Sequence, residues 1–193
     1  KISDLGPLSG LDSLTELNLW GTAIDDLKPL SELDTLEDLN LMQTAVAEVE
    51  PLSALHSLEK LDLRNTCVSD LGPLSTLESL RALDIKGTQV SDVSPLSELD
   101  NLESLNLSGT RVSSLEPLST LGSLRDLDFS GTQVSDVGPL AGLNRLESLK
   151  VSDTEVSDLN PLSELKNLAF VELSHTRVSA LSPLYGLKNL HLI

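Results

Sequence analysis

The chain has 193 residues, 39% of them hydrophobic, and a net charge of −17 from 30 acidic and 13 basic side chains. Such a field repels phosphate backbones and anionic bilayers, so no nucleic acid is expected as a partner and no acidic membrane surface. The single cysteine, Cys67, excludes an internal disulfide and a cysteine-based zinc site, and no apolar run is long enough to span a membrane.

Nine prolines, from Pro7 to Pro183, stand 22 residues apart, and the threonines from Thr22 to Thr176 keep the same step. A period of this length signals a solenoid of stacked units. Residues 1–13 form a partial unit, eight full units cover 14–189, and 190–193 open another, all within one repeat array. Positions in a unit are numbered 1 to 22 from Leu14. The chain starts in position 10 and stops in position 4 without the polar caps that close a solenoid. It therefore reads as a window on a longer protein.

Each unit is expected to run through the same elements. Positions 3 to 7, as in Ala82-Leu83-Asp84-Ile85-Lys86, alternate with period two. They read as a short strand with Leu83 and Ile85 inward. A "GT" turn follows. Next come Ser-Asp pairs such as Ser91-Asp92 ahead of Pro95, which suit a capped 3-10 turn with proline preset in φ. A full α-helix does not fit in 22 residues beside a strand and two turns. Apolar residues fall at positions 1, 4, 6, 11, 14, 17 and 20, and a lone unit cannot bury them. Stacking buries them between neighbours and lays strand beside strand. The string "GTQVSDV" occurs at 87–93 and again at 131–137, and all of it is accounted for by this scaffold.

The pattern LxxLxLxxTx(I/V)xx(L/V)xPLxxLxx resembles leucine-rich repeats of the 22-residue class, similar to the internalin repeats of bacteria, over the whole chain. The resemblance implies an α/β solenoid. This is a curved right-handed coil with a parallel β-sheet on the concave face and short 3-10 turns and loops on the convex face. Where the family carries a ladder Asn at position 9, this chain has Thr in every unit, and stacked hydroxyls are expected to make a shorter-reaching ladder between coils. Family members mostly bind proteins on the concave face, where positions 3, 5 and 7 point outward.

Position 7 is the most varied column. Trp20, Met42, Arg64 and Lys86 are followed by Ser108, Ser130, Ser152 and Ser174. Trp and Arg are frequent binding anchors, and Met adapts to irregular surfaces. The expected partner-binding residues are Trp20 and Met42 as an apolar lip, with Asn40, Asp62 and Asp84 beside Arg64 and Lys86 as a charged floor. Phe170 is an isolated second contact. An alternative role for Trp20 and Met42 is packing against preceding chain. Position 2 alternates in sign from Glu59 through Arg81, Glu103 and Arg125 to Glu147, and reads as a solvated ladder between strands.

No catalytic constellation is expected. Ser174, His175 and Asp153 look superficially like a triad, but Ser174 and His175 are sequence neighbours that cannot face each other squarely. Asp62 and Asp84 are more simply neutralised by Arg64, Lys60 and Lys86 than by a metal. Glycines such as Gly87 lack the Lys-Ser/Thr of a phosphate loop. The expected function is therefore a non-catalytic protein–protein interaction module without cofactor or metal, monomeric, with its partner on the N-terminal half of the concave sheet. Alternatives are a sensor or targeting arm of a larger enzyme or signalling protein, and a structural spacer of a cell-surface adhesin.

Overall fold

A computed structural model describes residues 2–192. Nine three- or two-residue strands pair in parallel and in strict chain order: β1 (Glu16–Asn18), β2 (Asp38–Asn40), β3 (Lys60–Asp62), β4 (Ala82–Asp84), β5 (Ser104–Asn106), β6 (Asp126–Asp128), β7 (Ser148–Lys150), β8 (Phe170–Glu172) and β9 (His191–Leu192). The register steps by one whole unit, so Asp62 lies opposite Asp84 and Asp84 opposite Asn106. On the other side of each coil a 3-10 turn begins one residue before the proline, as in Lys28–Leu30 and Ser94–Leu96, and these turns stack as well.

The core is one continuous ladder. In a single interior coil Leu80, Leu83, Ile85, Val90, Val93, Leu96 and Leu99 are all buried, which are the seven positions that the period marks as apolar. Burying each aliphatic side chain contributes roughly 1.5–3 kcal/mol relative to exposing it. Backbone ordering offsets most of that gain, so a coil is stable only between neighbours. At the last coil this cover thins. Leu173 and Val178 are only half-buried and Leu181 is exposed.

Two devices turn the corner after the strand, the first in six of the eight full coils and the second in all eight. The first is an Asx turn: the side-chain oxygen at position 5 accepts the backbone N–H of position 7, as Asn40 does from Met42 and Asp84 from Lys86, at 2.9 and 3.0 Å. The strand ends at position 5 in every full coil, with this turn or without it as at Lys150 and Glu172, short of the position 7 that alternation alone suggests. Pairing between coils nonetheless continues in spaced bonds from positions 6 and 8, such as Leu41 N–H to Asp62 O and Gln43 N–H to Arg64 O. The second device is a left-handed residue at position 8. Gly21, Gly87, Gly109 and Gly131 have φ of 64 to 69°, and Gln43, Asn65, Asp153 and His175 have φ of 54 to 57° in the same place. Glycine enters this region without steric cost, which explains the recurrent "GT".

The threonines do not form the ladder between coils that stacking suggests. Each hydroxyl folds back within its own coil and donates to the carbonyl of position 6, at 2.7 Å for Thr44 to Leu41 and Thr88 to Ile85. The position 6 carbonyl already accepts the backbone N–H of the same threonine, as Leu41 O does from Thr44, so the turn brings it within reach of the hydroxyl. Ahead of the 3-10 turns the residue at position 13 accepts the backbone N–H, mostly Asp, as Asp70 does from Gly72 and Asp136 from Gly138, and once Ser, as Ser114 does from Glu116.

Candidate functional site

The outer face of the sheet carries positions 3, 5 and 7 of every coil. Because successive strands lie one spacing apart in perfect register, like positions form columns that run across the strands. The expected binding residues therefore gather on one continuous face, with Trp20, Met42, Arg64 and Lys86 side by side and Asn40, Asp62 and Asp84 alongside. Phe170 stands apart on β8, half-buried.

Trp20 is the most exposed member of the lip, at 60%. It is not loose: its indole N–H donates to Gln43 Oε1 at 3.0 Å, reaching over to the next coil. Met42 beside it is half-buried, and Lys86 is exposed.

Arg64 is the hub of the floor. Its Nε lies 3.0 Å from both Asp62 oxygens, its Nη2 lies 2.5 Å from Asp62 Oδ2, and its Nε is 3.6 Å from Asp84 Oδ2 on the next strand. The hydrogen bond to Asp62 holds the Arg64 pKa above its ordinary value against the opposing effect of burial. With Arg64 committed to Asp62, burial dominates at Asp84 and pushes its carboxyl above the usual carboxylate range. The Lys86 N–H, the Arg64 charge and Asn106, whose Nδ2 donates to Asp84 Oδ2 at 3.1 Å, offset this only in part.

Two shallow depressions meet over the middle of the face. One, of about 290 Å³, lies over β2 to β5 and includes Lys60, Asp62, Ala82 and Asp84. The other, of about 210 Å³, lies over β4 to β7 and includes Asp126, Asp128, Ser148 and Lys150. They share Asp84, Ser104 and Asn106. Small side chains at position 3 (Ala82, Ser104, Ser148) and serines at position 7 leave the acids at the centre standing in a trough. Ser108 and Ser152 in the latter column are buried, unlike the bulky residues before them. Asp126 is exposed, yet enough protein packs about its carboxyl for desolvation, with the nearby Glu147 charge, to raise its pKa.

Sequence reasoning missed three features of this site. Gln43 was visible only as a non-glycine where a glycine recurs. Asn106 and the Asp126/Asp128 pair sat in the columns already identified, but lacked the bulky neighbours that drew attention to the N-terminal half. Position 5 also carries a double load, since Asn40, Asp62 and Asp84 make Asx turns as well as lining the face.

Elsewhere, His175 Nδ1 lies 3.0 Å from Asp153 Oδ1, both well exposed, while the neighbouring Ser152 hydroxyl donates to Glu172. Both His175 and Asp153 occupy the left-handed position 8, which turns their side chains to the edge of the sheet. No group of three metal-binding side chains converges among the described residues. None of the described helices is long and apolar enough to cross a membrane.

The comparisons agree with this architecture. A family model described as leucine-rich repeats in two copies matches residues 78–120. An internalin (inlF) from Listeria monocytogenes superposes with a TM-score of 0.97 at 32% identity, covering 100% of this chain and 57% of that one. Internalin C2 from the same organism gives 0.92 at 32% identity, covering 95% and 82%. The leucine-rich repeat ectodomain of the receptor kinase GASSHO1/SCHENGEN3 from Arabidopsis thaliana, solved in complex with Casparian strip integrity factor 2, gives 0.83 at 20% identity over 99% of this chain and 25% of that one, a likeness of fold alone. No curated protein sequence matches. The chain thus spans little more than half of the first internalin, and it belongs to the leucine-rich repeat proteins of the internalin type.

Proposed function

We propose that this array is a protein-interaction module whose partner seats on the outer face of the sheet, mainly over its N-terminal half. Trp20 and Met42 are the apolar anchors. Asp62, Arg64 and Asp84 form a rigid floor between them and Lys86, with Arg64 committed to Asp62, and Lys86 keeps its charge free for the partner. Asn40 shapes the turn beneath Met42, and Phe170 is a separate outlying contact. No step of chemistry is required of any of these side chains.

The observation that carries this reading is the break in column 7. Four large, chemically unlike side chains stand where the same scaffold later accepts serine four times, so the scaffold does not demand them. A large indole left 60% exposed and tied down by Gln43 is a preorganised contact, with less ordering entropy to lose on binding. The Arabidopsis receptor ectodomain, of like fold, was solved with a bound factor, which supports binding as a use of this architecture.

The test compares capture of partners by the intact array with capture by a Trp20→Ala/Arg64→Ala double variant, folding being checked by circular dichroism. The expected result is loss of the captured protein in the variant. Unchanged capture places the partner on another surface.

A further inference from the structure

The indole of Trp20 has one polar group, its N–H, and Gln43 of the next coil already accepts it at 3.0 Å. Yet 60% of the side chain stays exposed on the outer face. What a partner meets there is ring carbon and its π-cloud, tethered in place. Such a surface takes either hydrocarbon or a cation, because the face of the ring carries the negative part of its quadrupole. The charge around it separates the two. The first two full coils, residues 14–57, hold nine acidic side chains against one lysine, Lys28. Two of the acids, Glu16 and Asp38, stand in position 3 on the same outer face as the indole, paired in register on β1 and β2. Asp38 has only a loose contact with Lys60 at 3.8 Å, and no cation lies within ion-pair distance of Glu16 among the described residues. The other strongly exposed ring lies in the opposite setting. Tyr185 is 83% exposed on the 3-10 side of the last full coil, where Arg177 and Lys188 outnumber Glu172.

We propose that Trp20 receives an arginine side chain of the protein partner, its guanidinium stacking on the indole within the acidic field of the first two coils. This deepens the binding reading above and rests on it: Trp20 remains the anchor, and what it anchors is a cation rather than a hydrocarbon. Arginine fits better than lysine because its planar, weakly hydrated guanidinium lies flat on the ring and gives up less water. The net charge of −17 draws a basic segment toward the protein from any side, and the ring selects where its arginine settles. The tether to Gln43 lowers the cost of ordering the indole on binding. Arg64, two coils along the same column, does not take the ring itself because Asp62 holds it.

The probes are a capped Gly-Arg-Gly peptide and the same peptide with citrulline, which keeps the planar side chain without its charge. Each is titrated into the intact array at low ionic strength, with binding read from backbone amide shifts by NMR. Trp20→Leu removes the ring and keeps the net charge, at a site exposed enough for the fold to accept it. Tyr185→Leu removes the more exposed ring from the positively charged coil and serves as the control. We expect the arginine peptide to bind the unaltered array about three- to fivefold more tightly than it binds Trp20→Leu, and more tightly than the citrulline peptide by a similar factor. Tyr185→Leu should change the affinity by less than about twofold. Equal affinity for the arginine and citrulline peptides overturns the proposal and leaves Trp20 an apolar anchor. Equal affinity of the unaltered array and Trp20→Leu overturns it by reducing the effect to overall charge. The binding reading fails separately. Partner capture that ignores Trp20 and Arg64 takes the partner off this face, whereas capture lost in that variant, with both peptides bound alike, removes only the cation.

Discussion

Trp20 and Gln43 meet across the first two coils, indole N–H to amide oxygen at 3.0 Å, and Gln43 makes this contact from a left-handed backbone at φ 56°. A residue better suited to an open conformation thus stands where four other coils use glycine, and its side chain fixes the most exposed aromatic of the face. Strain and positioning reside in the same residue.

Gln43→Gly separates the two. Glycine relieves a left-handed cost of about 1 kcal/mol, so the urea midpoint is expected to rise or hold while Trp20 loses its tether. Trp20 is the only tryptophan, so its fluorescence anisotropy reports this directly and should fall. A partner held by a preorganised indole should then bind more weakly despite the sturdier fold.

Thr88→Val tests the folded-back hydroxyl. Thr88 is almost wholly buried and donates to Ile85 O at 2.7 Å, and valine keeps its shape without the donor. The expected cost is about 1 kcal/mol, seen as a lower denaturant midpoint at unchanged slope. Thr88→Ser, which keeps the hydroxyl, should retain the turn while losing only the packing of one methyl.

Glu103→Lys would place a third cation between Arg81 and Arg125. Glu103 now receives Arg81 Nη1 at 2.8 Å and faces Arg125 Nε at 3.8 Å. These groups are half-exposed, so each native pair contributes at most about 1 kcal/mol, and reversal should cost about 1–2 kcal/mol in all. Melting in low and high salt separates the causes, because screening should recover most of the loss.

Stability should also depend on pH with opposite signs at different carboxyls. Asp84 and Asp126 have folded pKa values raised by burial, so the fold binds their protons more tightly than the unfolded chain does. Protonation therefore stabilises the fold, and the gain accrues as pH falls from neutral through their raised range. Asp92 is held below the ordinary range by hydrogen bonds from Ser94, so its contribution is present above its unfolded pKa and lost as pH falls further. The expected profile rises on mild acidification and then drops. Asp84→Asn, which keeps the turn acceptor for Lys86, should flatten the rise and leave the drop, as melting across a pH series would reveal.

The inward half of the structure was open to sequence reasoning because burial has to repeat when the unit repeats. Leu80, Leu83 and Ile85 could be assigned from spacing alone, and so could the parallel neighbours of each strand. Hydrogen bonds that depend on side-chain reach were not. The threonine column looks the same whether its hydroxyls point along the stack or back into the coil, and only the left-handed residue before it decides. The outer columns were legible as columns, but Arg64's commitment to Asp62 depends on a rotamer that no spacing encodes.

The strict chain order and register of the strands carry a consequence for length. Every coil offers its successor the same pattern of leucines and valines, so a whole unit cut from the middle leaves two faces that still match. Excising residues 102–123, for example, would join Asn101 to Leu124 at the same phase of the pattern, shorten the sheet by one strand, and bring Asp128 next to Asp84 at about 4.8 Å, where Asn106 now stands. Recombination between neighbouring units can thus slide the anchors of the outer face past one another in whole steps without asking the core for a single new kind of contact.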